Sequence, residues 1–115
     1  MTSRELTREI QRLSGVKDFR LRFRNAYHPE RWAEYRPHTK TIIVYTLDQE
    51  GVRYDRDVLL RESLHELAHH IQFNHVPFWQ YSAQEEHDRG FWEIYQHLMR
   101  LAFGDGVKAQ FHCEG

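Results

Sequence analysis

The chain holds a single cysteine, Cys113, among its 115 residues. One thiol excludes an internal disulfide framework and a cysteine-rich zinc ribbon. Proline occurs three times and glycine six times, and nowhere do they gather into a linker that would divide the chain. No apolar run comes near the roughly 20 residues a membrane-spanning helix needs. The segment Met1 to Glu9 is polar and charged, unlike a secretory signal. These absences lead to the expectation of one cytoplasmic domain over residues 1–115, with 105–115 as a flexible tail.

The residues that are abundant say more. The chain is 40% apolar, 29% charged and 14% aromatic, a profile that folds rather than stays disordered. Its net charge of -1 hides an asymmetry. Residues 1–40 carry ten Lys/Arg against five Asp/Glu, a local net of +5, while residues 41–115 carry six against twelve, a local net of -6. A nucleic-acid-facing basic surface is one reading. Two ordinary solvated faces fit better, because no aromatic or glycine-rich nucleic-acid motif accompanies the basic half. Nine residues are histidine, a high count for so short a chain.

The periodicity predicts an α+β domain. Thr2 or Ser3 caps a helix reaching about Leu13, with Leu6, Ile10 and Leu13 on one face and Gly15 ending it. Phe19, Leu21 and Phe23 then alternate with Arg20, Arg22 and Arg24, the period of a strand with a basic outer face. Two further strands are expected over Trp32–Tyr35 and Thr39–Thr46, the second apolar on both faces. Asp55 or Asp57 caps a helix with a Leu60, Leu64, Leu67, Ile71 stripe that Pro77 stops. Phe78, Trp79 and Tyr81 form an aromatic bridge read as core rather than pocket wall. A last helix starts near Ser82 or Asp88 and ends at Gly104, with Phe91, Tyr95, Leu98 and Ala102 as its stripe. The order fits an antiparallel sheet of about three strands beside three helices.

His65-Glu66-Leu67-Ala68-His69 is an H-E-x-x-H motif. Residues four apart share a helix face, so two imidazoles can close on one metal, with Glu66 beside them to act on the metal's water. A catalytic zinc takes three protein ligands, and two histidines compete for the third place. His75 lies six residues after His69, but the metzincin form of the motif has a turn-forming glycine where this chain has Gln72. Without it the helix continues and His75 points away. His87, on a separate segment, is the preferred candidate. His70, Tyr81 and Tyr95 are candidate oxyanion donors, though each reads more readily as an ordinary packing or surface residue. His112 and Cys113 in the tail could cover the open metal position, the less favoured reading of a terminal segment. His28, His38 and His97 have no assigned role.

His65-Glu66-Leu67-Ala68-His69 followed by His87-Asp88-Arg89-Gly90-Phe91-Trp92 resembles the SprT-like and related minimal zincins. In these an H-E-x-x-H helix precedes a His-x-x-x-Phe element. The resemblance covers residues 1–103. It implies a zinc-dependent peptidase core with His65, His69 and His87 as ligands and Glu66 as general base, and Phe91 as the packing residue that seats the third ligand. One zinc ion would be the cofactor, and a protein or peptide the substrate. The four-cysteine zinc ribbon of larger members is missing, which counts against a DNA-repair role. An extended peptide could add to a sheet edge at Thr41–Thr46, unless that strand is buried.

Two other functions compete. The His65, His69, His75 spacing resembles bacterial rRNA-maturation endoribonucleases, which are metal-dependent but lack the glutamate that Glu66 supplies here. A non-catalytic zinc-binding interaction module is the third.

Overall fold

Helix α1 (Ser3–Ser14) is bounded by its own sequence at both ends. The Thr2 hydroxyl accepts the Glu5 N–H, and the Glu5 carboxylate accepts the Thr2 N–H, each at 3.1 Å. This reciprocal pair satisfies two N–H groups that a helix start leaves without backbone partners. Gly15 adopts φ 74 and turns the chain out of the helix, a left-handed conformation that costs glycine nothing. Leu6 and Ile10 are fully buried below. The computed structural model describes residues 1–75 and 89–104.

Three strands follow, β1 (Arg20–Arg24), β2 (Ala33–Arg36) and β3 (Thr41–Tyr45), arranged in the order β1-β3-β2. β2 and β3 form an antiparallel pair, but β1 and β3 run parallel. The sheet is therefore mixed, and the expectation of an antiparallel sheet holds for only one of its two pairings. β3 enters between β1 and β2 instead of extending the meander.

The register lines up rows across the sheet. Leu21, Ile42 and Tyr35 form one row, and Phe23, Val44 and Ala33 another. Both rows belong to, or pack against, the core that the helices cover. On the other face Arg22 and Glu34 flank Ile43. Long charged side chains cover apolar neighbours with their stems while keeping their heads in water, so all five residues of β3 are buried. That burial and the central position exclude Thr41–Thr46 as a docking edge. The apolar character of both faces of this segment was the sequence trace of a middle strand.

Helix α2 (Arg56–His75) is capped by Asp55, whose carboxylate accepts the Val58 N–H at 3.0 Å. Asp57 lies in the first turn instead. Leu60, Leu64 and Leu67 are buried in the core, with Ile71 partly so. Burying each such leucine stabilises the fold by about 1.5–3 kcal/mol. Burial extends well beyond this stripe to Glu62, Ser63, His65, Glu66, Ala68, His70 and Gln72, because sheet and helix enclose α2 from different sides. Helix α3 (Arg89–Phe103) buries Phe91, Tyr95, Leu98 and Met99, with Ala102 partly covered. The expected stop at Pro77, the aromatic bridge and the expected helix starts at Ser82 or Asp88 lie outside the described residues. Among those described, no helix is long and apolar enough to cross a membrane.

Candidate metal centre

The helical rise of α2 brings His65 and His69 one turn apart on one face, with ring centroids separated by 5.1 Å. The potential ligand atoms of His65, Glu66 and His69 all lie within 4.8 Å of one another. His65 and Glu66 are each only 1% exposed and His69 is half-buried, so the group is set into the fold rather than on an exposed histidine-rich helix face. Two imidazoles beside a carboxylate form a donor set suited to a zinc-class cation.

Helix α3 supplies the wall of this group. The Phe91 ring stacks on His69, with centroids 4.4 Å apart and 26° between planes. Its edge contact with His65 spans 5.0 Å. Tyr95, one turn further on, meets His65 at 5.1 Å, and Trp92 packs across Phe91. Phe91 thus seats the two helix histidines directly. Burial, and after it the carboxylates of Glu62 and Glu66, pushes the Tyr95 phenol well above its ordinary range. Its hydroxyl donates to the Arg61 carbonyl at 3.5 Å. A fully buried, neutral Tyr95 so engaged is a packing residue of α2 and α3, the favoured of its two sequence readings.

His70 also stands apart from the metal group. Adjacent helix residues point about 100° apart, and His70 faces away from the His65/His69 pair toward the segment leading into β1. Its Nε2 lies 2.9 Å from an Asp18 carboxylate oxygen, and its Nδ1 lies 2.7 Å from the Tyr35 hydroxyl. His75 joins the same cluster, its Nε2 at 3.0 and 3.1 Å from the two Asp18 oxygens. Hydrogen bonding to His70, reinforced by His75, lowers the Asp18 carboxyl to about 2, while burial lowers His70.

α2 does run through Gln72 to His75, as the missing glycine implied. His75 meets Asp18 and His70, so the His65/His69/His75 set of the endoribonuclease reading is not brought together. Among the described residues, two groups of three could hold a metal: His65, Glu66, His69 and Asp18, His70, His75. The second was not foreseen, because Asp18 stands 52 and 57 positions from its histidine partners and no local pattern links them. His87, Tyr81, His112 and Cys113 lie outside the described residues. His28 packs against Tyr45 and accepts the Glu30 N–H, while His38 and His97 are exposed.

No family model matches the chain, and no curated protein matches it. Among solved structures the fold is similar to the crystal structure of the metallopeptidase zymogen abylysin of Pyrococcus abyssi. The likeness has a TM-score of 0.57 at 16% sequence identity, and covers 88% of this chain and 86% of that one. At that identity it establishes architecture alone, a small α+β fold to which the described residues contribute three helices and a three-stranded sheet.

Proposed function

We propose that the chain is a zinc-dependent peptidase of the SprT-like minimal zincin kind, acting on a protein or peptide substrate. His65, His69 and His87 are its metal ligands and Glu66 its general base. The observation that carries this reading is the convergence of His65, Glu66 and His69 under the Phe91 and Tyr95 rings. The likeness to a metallopeptidase zymogen adds a consistent fold. For His87 the support is its sequence position, four residues before the Phe91 that rests on His69.

A bound zinc supplies Lewis acidity and brings the pKa of its water down to about 7. The chain's own contribution is Glu66, adjacent in sequence to the first ligand and nearly solvent-free. In this position its carboxylate takes the proton of the attacking water and returns it to the departing amine, so one group serves both halves of the hydrolysis. Phe91 and Tyr95 limit imidazole motion and exclude water from the ligand side. With β3 central, an extended substrate has β1 or β2 as its docking edge, and β2 packs against α2.

The deciding experiment measures zinc content and cleavage of an unfolded protein substrate by the full chain purified without chelators. Glu66→Gln keeps its zinc and loses about 10²- to 10⁴-fold in rate. Cleavage by Glu66→Gln at the wild-type rate removes this reading.

A further inference from the structure

The cluster of Asp18, His70 and His75 lies on a different face of α2 from His65 and His69. We propose that it is a second binding site for a zinc-class divalent cation, held by Nε2 of His70, Nε2 of His75 and the carboxylate of Asp18. The proposal stands independently of the peptidase assignment, because it uses none of the same side chains.

The geometry is close to what such an ion needs. Tetrahedral zinc with bonds of about 2.0–2.1 Å holds its ligand atoms about 3.3 Å apart. The two imidazole nitrogens lie 2.9 and 3.0 Å from the same Asp18 oxygen, and the atoms of all three residues lie within 4.8 Å of one another. Opening each nitrogen–oxygen separation by about 0.3–0.4 Å would bring it to the tetrahedral spacing, with the ion in place of the bridging protons. An imidazole pair with one carboxylate is a borderline donor set that suits zinc over magnesium or calcium.

The surroundings of His70 fit a ligand as well. Metal-ligating histidines usually bond their second ring nitrogen to a fixed polar partner, which sets tautomer and ring orientation. Here Nδ1 of His70 faces the Tyr35 hydroxyl at 2.7 Å, and Asn74 donates to that hydroxyl at 3.0 Å. Tyr35 can accept the Nδ1 proton in the tautomer that leaves Nε2 available to a cation. His70 is fully buried, whereas Asp18 and His75 have side chains 44% and 43% exposed. One ligand is therefore preorganised in the fold and two remain reachable from solvent, leaving an entry path and room for a water as fourth ligand. The bound ion would tie the end of α2 to the segment entering β1, across a 52-residue separation.

Native mass spectrometry of the full chain, stripped of metal and titrated with Zn²⁺, tests this. The wild-type chain is expected to take up two ions. His65→Ala/His69→Ala loses one of them; Asp18→Asn and His75→Asn, both at exposed positions, each lose the other or weaken it at least about tenfold. Tyr35→Phe, which leaves all three ligands in place, is expected to weaken that second ion about tenfold. Uptake by Asp18→Asn and His75→Asn equal to wild type in number and affinity overturns the proposal. Uptake of a single ion that only His65→Ala/His69→Ala abolishes does the same. A single ion lost in Asp18→Asn but retained in His65→Ala/His69→Ala upholds this site and removes the peptidase reading instead.

Discussion

The Phe91 ring lies stacked on the His69 imidazole, 4.4 Å between centroids and 26° between planes. This contact joins α3 to α2 at the point where the candidate metal ligands gather. It makes one aromatic residue responsible both for part of the core and for the orientation of the imidazoles.

Phe91→Ala tests that double role. Removing a fully buried phenylalanine leaves a cavity and costs about 3–5 kcal/mol of stability. Urea denaturation of the zinc-free chain measures this. Zinc affinity at the His65/His69 site is expected to fall along with it, by about tenfold or more, since the stack on His69 and the edge contact on His65 are both lost. Unchanged zinc affinity would show that the stacking is packing alone.

His87→Ala addresses the third ligand. The variant is expected to release the same zinc ion that His65→Ala/His69→Ala releases and to lose peptide hydrolysis. Metal content measured after gel filtration decides it, and retention of that ion at wild-type affinity excludes His87.

The outer face of the sheet carries a pH-dependent contact. The Tyr45 hydroxyl donates to Glu34, which also pairs with Arg36 and Arg31. Burial by itself would raise the Glu34 carboxyl, but the Tyr45 hydroxyl and the two guanidiniums outweigh it and hold the group below its ordinary value. A carboxylate lowered on folding contributes stability that is complete above its unfolded pKa. That contribution is lost as pH falls through the lower folded value. Tyr45→Phe should therefore cost about 1–2 kcal/mol at pH 7 and distinctly less at pH 3. Denaturation midpoints at the two pH values give the comparison, and an equal cost at both refutes the charge-assisted bond.

The capping box at the start of α1 gives a prediction free of the site. Thr2→Ala removes the acceptor for the Glu5 N–H and should cost about 1 kcal/mol. Glu5→Gln should cost less, because an amide oxygen can still accept the Thr2 N–H. Thermal unfolding of the pair resolves the order.

Local chemistry carried much of this fold in advance. The Thr2 cap, Gly15, the Arg20–Arg24 alternation and the Leu60/Leu64/Leu67 stripe each depend on neighbours within one or two turns, so their spacing in sequence is their geometry. The His65/His69 pair belongs with them, since a separation of four residues on a helix fixes a shared face. The parallel pairing of β1 with β3 was not visible in the same way. Strand periodicity records which residues face inward but carries no record of which strand lies alongside, and the choice depends on how the helices cover the sheet.

His70 marks the boundary most sharply. By sequence it adjoins His69 and was a candidate for the same chemistry, yet one residue on a helix is a rotation of about 100°. That rotation carries it to Asp18, Tyr35 and His75. The sequence by itself determined the pair of helical histidines and the glutamate between them, because helix periodicity is a local property of the backbone. Only the tertiary structure decided what each pair faces: Phe91 and Tyr95 on one side, Asp18 on the other. Those partners come from distant parts of the chain, and core packing rather than sequence spacing brings them within reach.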